Sequence, residues 1–143
     1  MTTIKNYIFF ILLSLTSAGI SNAQDIPFTE RFFPNKTDGL RLAILDLKNG
    51  DEYFYSGRPE IYKFAIPYYE SAAKFNDSNA DLNLKLGACH LMAHKKLSAL
   101  MYLQKSINLN PTGDPSVYYY LGRTYQMLTK FDEAIVEYLK YLE

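Results

Sequence analysis

Cysteine is nearly absent from this chain of 143 residues. Cys89 stands alone, so no internal disulfide can form and any domain must be held by packing. A lone thiol also excludes a Cys-x-x-Cys redox or haem-attachment motif. Histidine is almost as scarce: His90 and His94 are the only two, and a structural zinc site usually draws four ligands from two spaced pairs. Net charge is missing as well. Fifteen basic and fifteen acidic residues balance and are spread evenly, which leaves no electrostatic footprint for nucleic acid. No Gly-x-Ser-x-Gly, His-Glu-x-x-His, phosphate loop or dinucleotide loop occurs. The adjacent acids Asp51-Glu52 and Asp132-Glu133 have no base or metal to work with, and neighbours on a helix diverge. No stretch alternates apolar and polar residues long enough for a strand. These absences predict a non-catalytic, all-α protein with no cofactor and no metal.

What is present begins with a leader. Lys5 precedes an apolar run from Tyr7 to Leu15, and Ser21-Asn22-Ala23 supplies small residues before a cut. The pattern predicts a signal peptide over 1–23, with Gln24 as the first mature residue and export of the rest. The run of roughly ten residues falls short of the ~20 a membrane-spanning helix needs, so no span is expected after cleavage. No cysteine lies near the cut to carry a lipid. Cutting 23 of 143 residues leaves 120, enough for one domain with a core. Thirteen tyrosines and no tryptophan suit a surface or groove of rigid, amphipathic contacts as well as a core.

Residues 24–36 read as an irregular lead-in. Pro27 and Pro34 interrupt any helix there, and Phe28, Phe32 and Phe33 offer anchors for packing on the first helix. From Thr37, a candidate cap, Leu40, Ala43, Ile44 and Leu47 recur at helical spacing. Breaking clusters follow at Gly57-Arg58-Pro59, at 76–79 and at 108–114. Self-comparison is more informative. Leu86-Gly87-Ala88-Cys89-His90 overlays Leu121-Gly122-Arg123-Thr124-Tyr125. Twelve residues after each glycine stands an alanine, Ala99 or Ala134, and four later Leu103 or Tyr138. Pro111 closes one unit, and Asp114-Pro115 opens the next as a cap and a first-turn proline. A weaker copy precedes them: Gly50, Tyr53, Gly57, Ala65, Tyr69 and Ala72. There the glycine-to-alanine gap is three residues longer, which predicts an insertion over Arg58 to Tyr62, with Pro67 in the first turns of the next helix.

Leu-Gly, then Tyr, Ala, an aromatic and Pro at these spacings resembles the tetratricopeptide repeat, a helix-turn-helix unit of about 34 residues. The resemblance covers about 38–143, as repeats near 38–79, 80–114 and 115–143, the last truncated. It implies a right-handed solenoid of antiparallel helix pairs, with glycine and alanine where helices cross most closely and each unit covered by the next. In this register Cys89 is a small buried filler. His90 takes a tyrosine's place with one hydrogen-bonded nitrogen, and His94 is an exposed turn residue. Together they give an ordinary account of GACHLMAH; metal binding is a distant third reading.

The resemblance further implies a protein partner held in a concave groove. Carried over by position, the groove would be lined by Leu47, Asp51, Phe54 and Tyr55, by Leu84, Ala88, Leu91 and Met92, and by Tyr119, Arg123, Gln126 and Met127. Of these, Phe54, Tyr55, Leu84, Leu91, Met92, Tyr119, Arg123 and Gln126 are the candidate contacts. The family's clamp of Lys, Asn and Arg for a C-terminal carboxylate is not matched, since Leu47 and Asp51 stand in its place. An apolar groove with Arg123 as its main charge suits an extended or helical segment with aromatic or aliphatic anchors. The alternative is that these side chains pack against the lead-in or the insertion. Narrower phrases, 49–54, 65–69 and 79–83, resemble the N-terminal region of Bacteroidetes envelope proteins, in which such repeats precede a WD40-like β-propeller and an OmpA-like domain. That implies a periplasmic or outer-membrane location, and as an alternative role a spacer in a larger peptidoglycan-associated or type IX secretion protein. The sequence stops inside the last repeat, which leaves self-association through its open face as a further expectation.

Overall fold

The computed structural model describes residues 23–143; the expected leader lies outside the described residues except for Ala23. Six α-helices follow one another: α1 Thr37–Phe54, α2 Ile66–Phe75, α3 Ala80–Met92, α4 Lys96–Leu109, α5 Ser116–Met127 and α6 Phe131–Leu142. A 3-10 helix, Pro59–Phe64, sits between α1 and α2, where the three-residue insertion was expected. No strand occurs among the described residues. Consecutive helices pack as pairs, α1 with α2, α3 with α4 and α5 with α6, and the pairs stack in order. This is the all-α, tetratricopeptide-like solenoid that the periodicity predicts.

The pairs close by one device used three times. An added Cβ at Gly50, Gly87 or Gly122 would fall 2.5 Å from Tyr69, Leu103 or Tyr138 respectively. Each large side chain lies flat on its glycine, which is why the position carries no side chain. One turn before these side chains Ala65, at the start of α2, and Ala99 and Ala134, on α4 and α6, are buried. The chain reverses between paired helices at a left-handed residue in each unit: Gly57 (φ 72), His94 (φ 59) and Thr129 (φ 59). Two apolar clusters run through the stack. One centres on Phe54, Tyr69, Leu82 and Leu86, the other on Leu84, Leu103, Val117 and Leu121.

Two local expectations are corrected. Thr37 is not a cap. Helical bonding starts a residue earlier, with Leu40 N–H donating to the Lys36 carbonyl at 2.9 Å, so Thr37 already lies in the first turn. The lead-in does not pack mainly on α1. Its anchors Phe33 and Phe28 meet Phe75 at the end of α2, with ring centroids 4.8 and 6.3 Å apart, while Phe32 stays exposed. Unpaired backbone explains the choice, because the loop after α2 offers polar groups that a helix side does not. Ile26 N–H donates to the Ser78 carbonyl at 2.7 Å. Asn76 Nδ2 donates to the Ile26 carbonyl, also at 2.7 Å. The Asp25 carboxylate accepts from Ala80 N–H at 2.9 Å and, through its other oxygen, from Asn110 Nδ2 at 3.4 Å. Asn79 caps α3 by accepting from Leu82 N–H at 2.9 Å. At the next junction Asp114 accepts from Ser116 N–H at 2.8 Å, the capping role expected of it.

Candidate functional site

The histidine and cysteine cluster resolves into three separate environments. Cys89 is fully buried, and burial pushes its thiol up to about 12, which favours the neutral thiol, a small apolar filler. His94 is exposed in its left-handed turn. His90 is buried and stacks parallel on Tyr102, centroids 5.3 Å apart. The expectation of one hydrogen-bonded nitrogen is wrong: neither ring nitrogen has a partner among the described residues. Glu70 Oε1 lies 3.7 Å from Nε2. An imidazole is shorter than the phenol that fills this slot in Tyr125, whose hydroxyl reaches Gln104 Nε2 at 3.2 Å. Burial holds the His90 pKa below its ordinary range; Glu70 opposes this and Lys95 adds to it.

The inner faces of α1 and α3 are spent largely on stacking. Phe54, Leu84 and Leu91 are 8%, 4% and 2% exposed. Phe54 packs on Tyr62 and Tyr69; Leu84 belongs to the second apolar cluster. Ala88 is buried as well. α3 is enclosed by neighbours on both sides, and eleven of its thirteen residues are buried. Asp51 and Tyr55 join a polar knot. Lys85 Nζ lies 2.9 Å from Asp51 Oδ1 and 2.9 Å from Asp81 Oδ2. Tyr69 donates its hydroxyl to Asp51 Oδ1 at 2.6 Å, and the Lys85 ammonium sits over the Tyr55 ring at 5.2 Å. Burial opposes a charged Lys85, but its bonds to Asp81 and Asp51 outweigh that and hold the ammonium above the usual lysine range. Burial and the bond to Asp51 likewise push the Tyr69 phenol far up.

Leu91, Met92 and Arg123 do come together. With Met127 they line a cleft of about 890 Å³ at the turn edge of the solenoid. The opposite wall is the 3-10 insertion, through Pro59, Glu60, Lys63 and Phe64, and the first turns of α2, through Ile66, Pro67 and Glu70. Position-by-position carry-over could not find that wall, since other units have no equivalent; the longer glycine-to-alanine gap was its only trace. Lys63, Lys95 and Arg123 ring the cleft and make no ion pair among the described residues. Glu60 and Glu70 are its acids.

Tyr119 and Gln126 sit beyond the cleft on a tyrosine platform. Tyr119 meets Tyr138 and Tyr141 with centroids 6.3 and 5.6 Å apart. Tyr138 donates its hydroxyl to Gln126 Oε1 at 3.1 Å. Arg123 links platform to cleft, donating from Nη1 to the Tyr119 hydroxyl at 3.2 Å.

The arrangement offers an apolar floor, cations and tyrosine edges. No group of three His, Cys, Asp or Glu side chains suited to a metal gathers among the described residues, and none of their helices is long and apolar enough to cross a membrane. No curated protein matches the chain. Residues 102–136, from the second half of α4 through α5 into α6, match the family model of the tetratricopeptide repeat; with the stacked pairs described above, this makes the chain similar to tetratricopeptide-repeat proteins, whose repeats serve as protein–protein interaction modules.

Proposed function

We propose that this chain is a non-catalytic protein–protein interaction module that seats a segment of another protein in the cleft between the 3-10 insertion and α3–α5. One observation carries the reading: the insertion that breaks the repeat builds a wall, and the wall encloses an apolar floor ringed by Lys63, Lys95 and Arg123. Met92 and Met127 supply adaptable side chains on that floor. The segment that fits is extended or helical, with an aromatic or aliphatic anchor and acidic residues beside it. Lys5, the apolar run to Leu15 and the small residues to Ala23 support export. The likeness of 49–54, 65–69 and 79–83 to envelope proteins supports a periplasmic or outer-membrane scaffold.

The test is selection of peptides from a random library on the chain from Gln24 onward. Binders that pair an acid with a bulky apolar residue, and that lose about 2 kcal/mol on Arg123→Glu or Phe64→Ala with helicity unchanged, are the expected result. Binders indifferent to both substitutions overturn the cleft assignment. A second reading, a spacer within a larger envelope protein, is favoured by the apolar surface α6 leaves uncovered. Sequencing of the gene past codon 143 tests it: an OmpA-like reading frame is the expected result, and a stop codon there overturns it.

A further inference from the structure

His90 stands behind the cleft and shares two neighbours with it. Three titratable groups surround its buried, unpartnered ring: Glu70 from α2, Tyr102 from α4 and Lys95 from the turn between α3 and α4. Among the described residues no charge from α1, the 3-10 helix or α5 acts on it. Glu70 and Lys95 are also cleft residues, and the Lys95 N–H holds the His90 carbonyl at 2.9 Å.

Glu70 is placed to serve either side. Its side chain is half exposed and makes no other ion pair among the described residues. At 3.7 Å its Oε1 is too far from His90 Nε2 for a hydrogen bond, and a side-chain rotation brings it near enough for one. While His90 is neutral, Glu70 is a free carboxylate among Lys63, Lys95 and Arg123. A protonated His90 is a buried charge that needs an answer. Drawing Glu70 inward supplies it and leaves Glu60 as the cleft's one remaining acid. We propose that the cleft is pH-gated: protonation of His90 withdraws Glu70 and strengthens the hold of Lys63, Lys95 and Arg123 on an acidic segment. The gate rests on the reading of the cleft given above. By linkage, a bound acidic segment must favour protonated His90 to the same degree. Burial depresses the His90 pKa, so the gain is absent above the ordinary value of 6.5 and develops as pH falls below it.

His94 lines the cleft as well, so the test uses a His94→Asn background. Asparagine tolerates the left-handed turn, and His90 becomes the single histidine. Ring signals followed by NMR then report His90 alone. Amide signals of Phe64 and Arg123 should shift with the His90 midpoint, and should cease to do so in Glu70→Gln. Cleft signals that ignore His90, or that follow it equally without Glu70, overturn the gate. Binding gives a second reading, with the acidic peptides selected from the library. Their affinity should rise about fivefold between about pH 7.5 and about pH 5.5, helicity unchanged, and should stay flat in His90→Tyr. Binders that keep one affinity across that range, or that tighten equally in His90→Tyr, overturn the gate alone. A library that yields no acidic binders overturns the cleft reading and the gate with it.

Discussion

α3 and α6 are built to the same plan and end in opposite surroundings. Each belongs to a pair closed by a large side chain over a glycine, Leu103 on Gly87 and Tyr138 on Gly122. Eleven of thirteen residues of α3 are buried, whereas Ala134 is the one buried residue of α6. Closure of a pair is therefore a local property written into a few small and large residues. Burial belongs to the stack, because a helix becomes core only when neighbours lie on both sides. The same comparison explains the chemistry of the middle unit. Enclosure traps Lys85 and His90 out of water, and the first is answered by Asp51 and Asp81 while the second is not answered at all.

Substitutions that exploit the contrast have graded effects. Gly87→Ala puts a methyl group against Leu103, including its backbone nitrogen at 3.2 Å, inside the enclosed unit. Chemical denaturation should show a loss of about 3 kcal/mol, against about 1 kcal/mol for Gly122→Ala, where the Tyr138 ring that is met can swing toward solvent. Equal losses would break the claim that enclosure sets the cost. Lys85→Ala strands Asp51 beside Tyr69 and should lower stability by about 2 kcal/mol, discounted because Asp51 and Asp81 keep contact with water; Lys85→Met should recover part of it by restoring the buried stem.

His90→Tyr gives the middle unit the ring its neighbours have and removes two unpartnered buried nitrogens, for a gain of about 1 kcal/mol at neutral pH. It should also remove a pH dependence. A histidine whose folded pKa is depressed favours the neutral form, so its contribution is intact above the ordinary value of 6.5 and is lost as pH falls below it. Thermal melts at descending pH check this: the parent should lose stability below that value faster than His90→Tyr does. Smallest are the turns. Thr129→Gly and His94→Gly relieve a left-handed residue each and should add about 0.5 kcal/mol apiece. Equal gains would sharpen the view that turns, like closure, are local.

The helix pairs were legible because their determinants recur. Gly50, Gly87 and Gly122 keep their distance from Ala65, Ala99 and Ala134, apart from one insertion, and the insertion lies where the spacing lengthens. The candidate site was legible only in part. An apolar stripe at helical spacing reads the same whether it faces a ligand or the next helix, so Phe54 and Leu84 could not be told from groove residues until their neighbours were in place. Arg123 was readable as a lone charge on an inner face; Lys63 and Phe64 were not, because they sit on the one segment without a counterpart. The lead-in's target, Phe75, was hidden for a related reason. Contacts between aromatic rings some forty residues apart leave no period to find.

That lead-in also bears on the order of events during folding. Every helix pair closes over a short stretch of chain, but Asp25 reaches Asn110 across eighty-five residues and Ala80 across fifty-five. Loop closure must precede such contacts. A chain made from its N-terminus therefore produces residues 25 and 26 before any of the described helices and seats them only after the second repeat exists. The first described segment to be synthesised is among the last to find its place, and it acts as a latch that reports completion of the first two repeats.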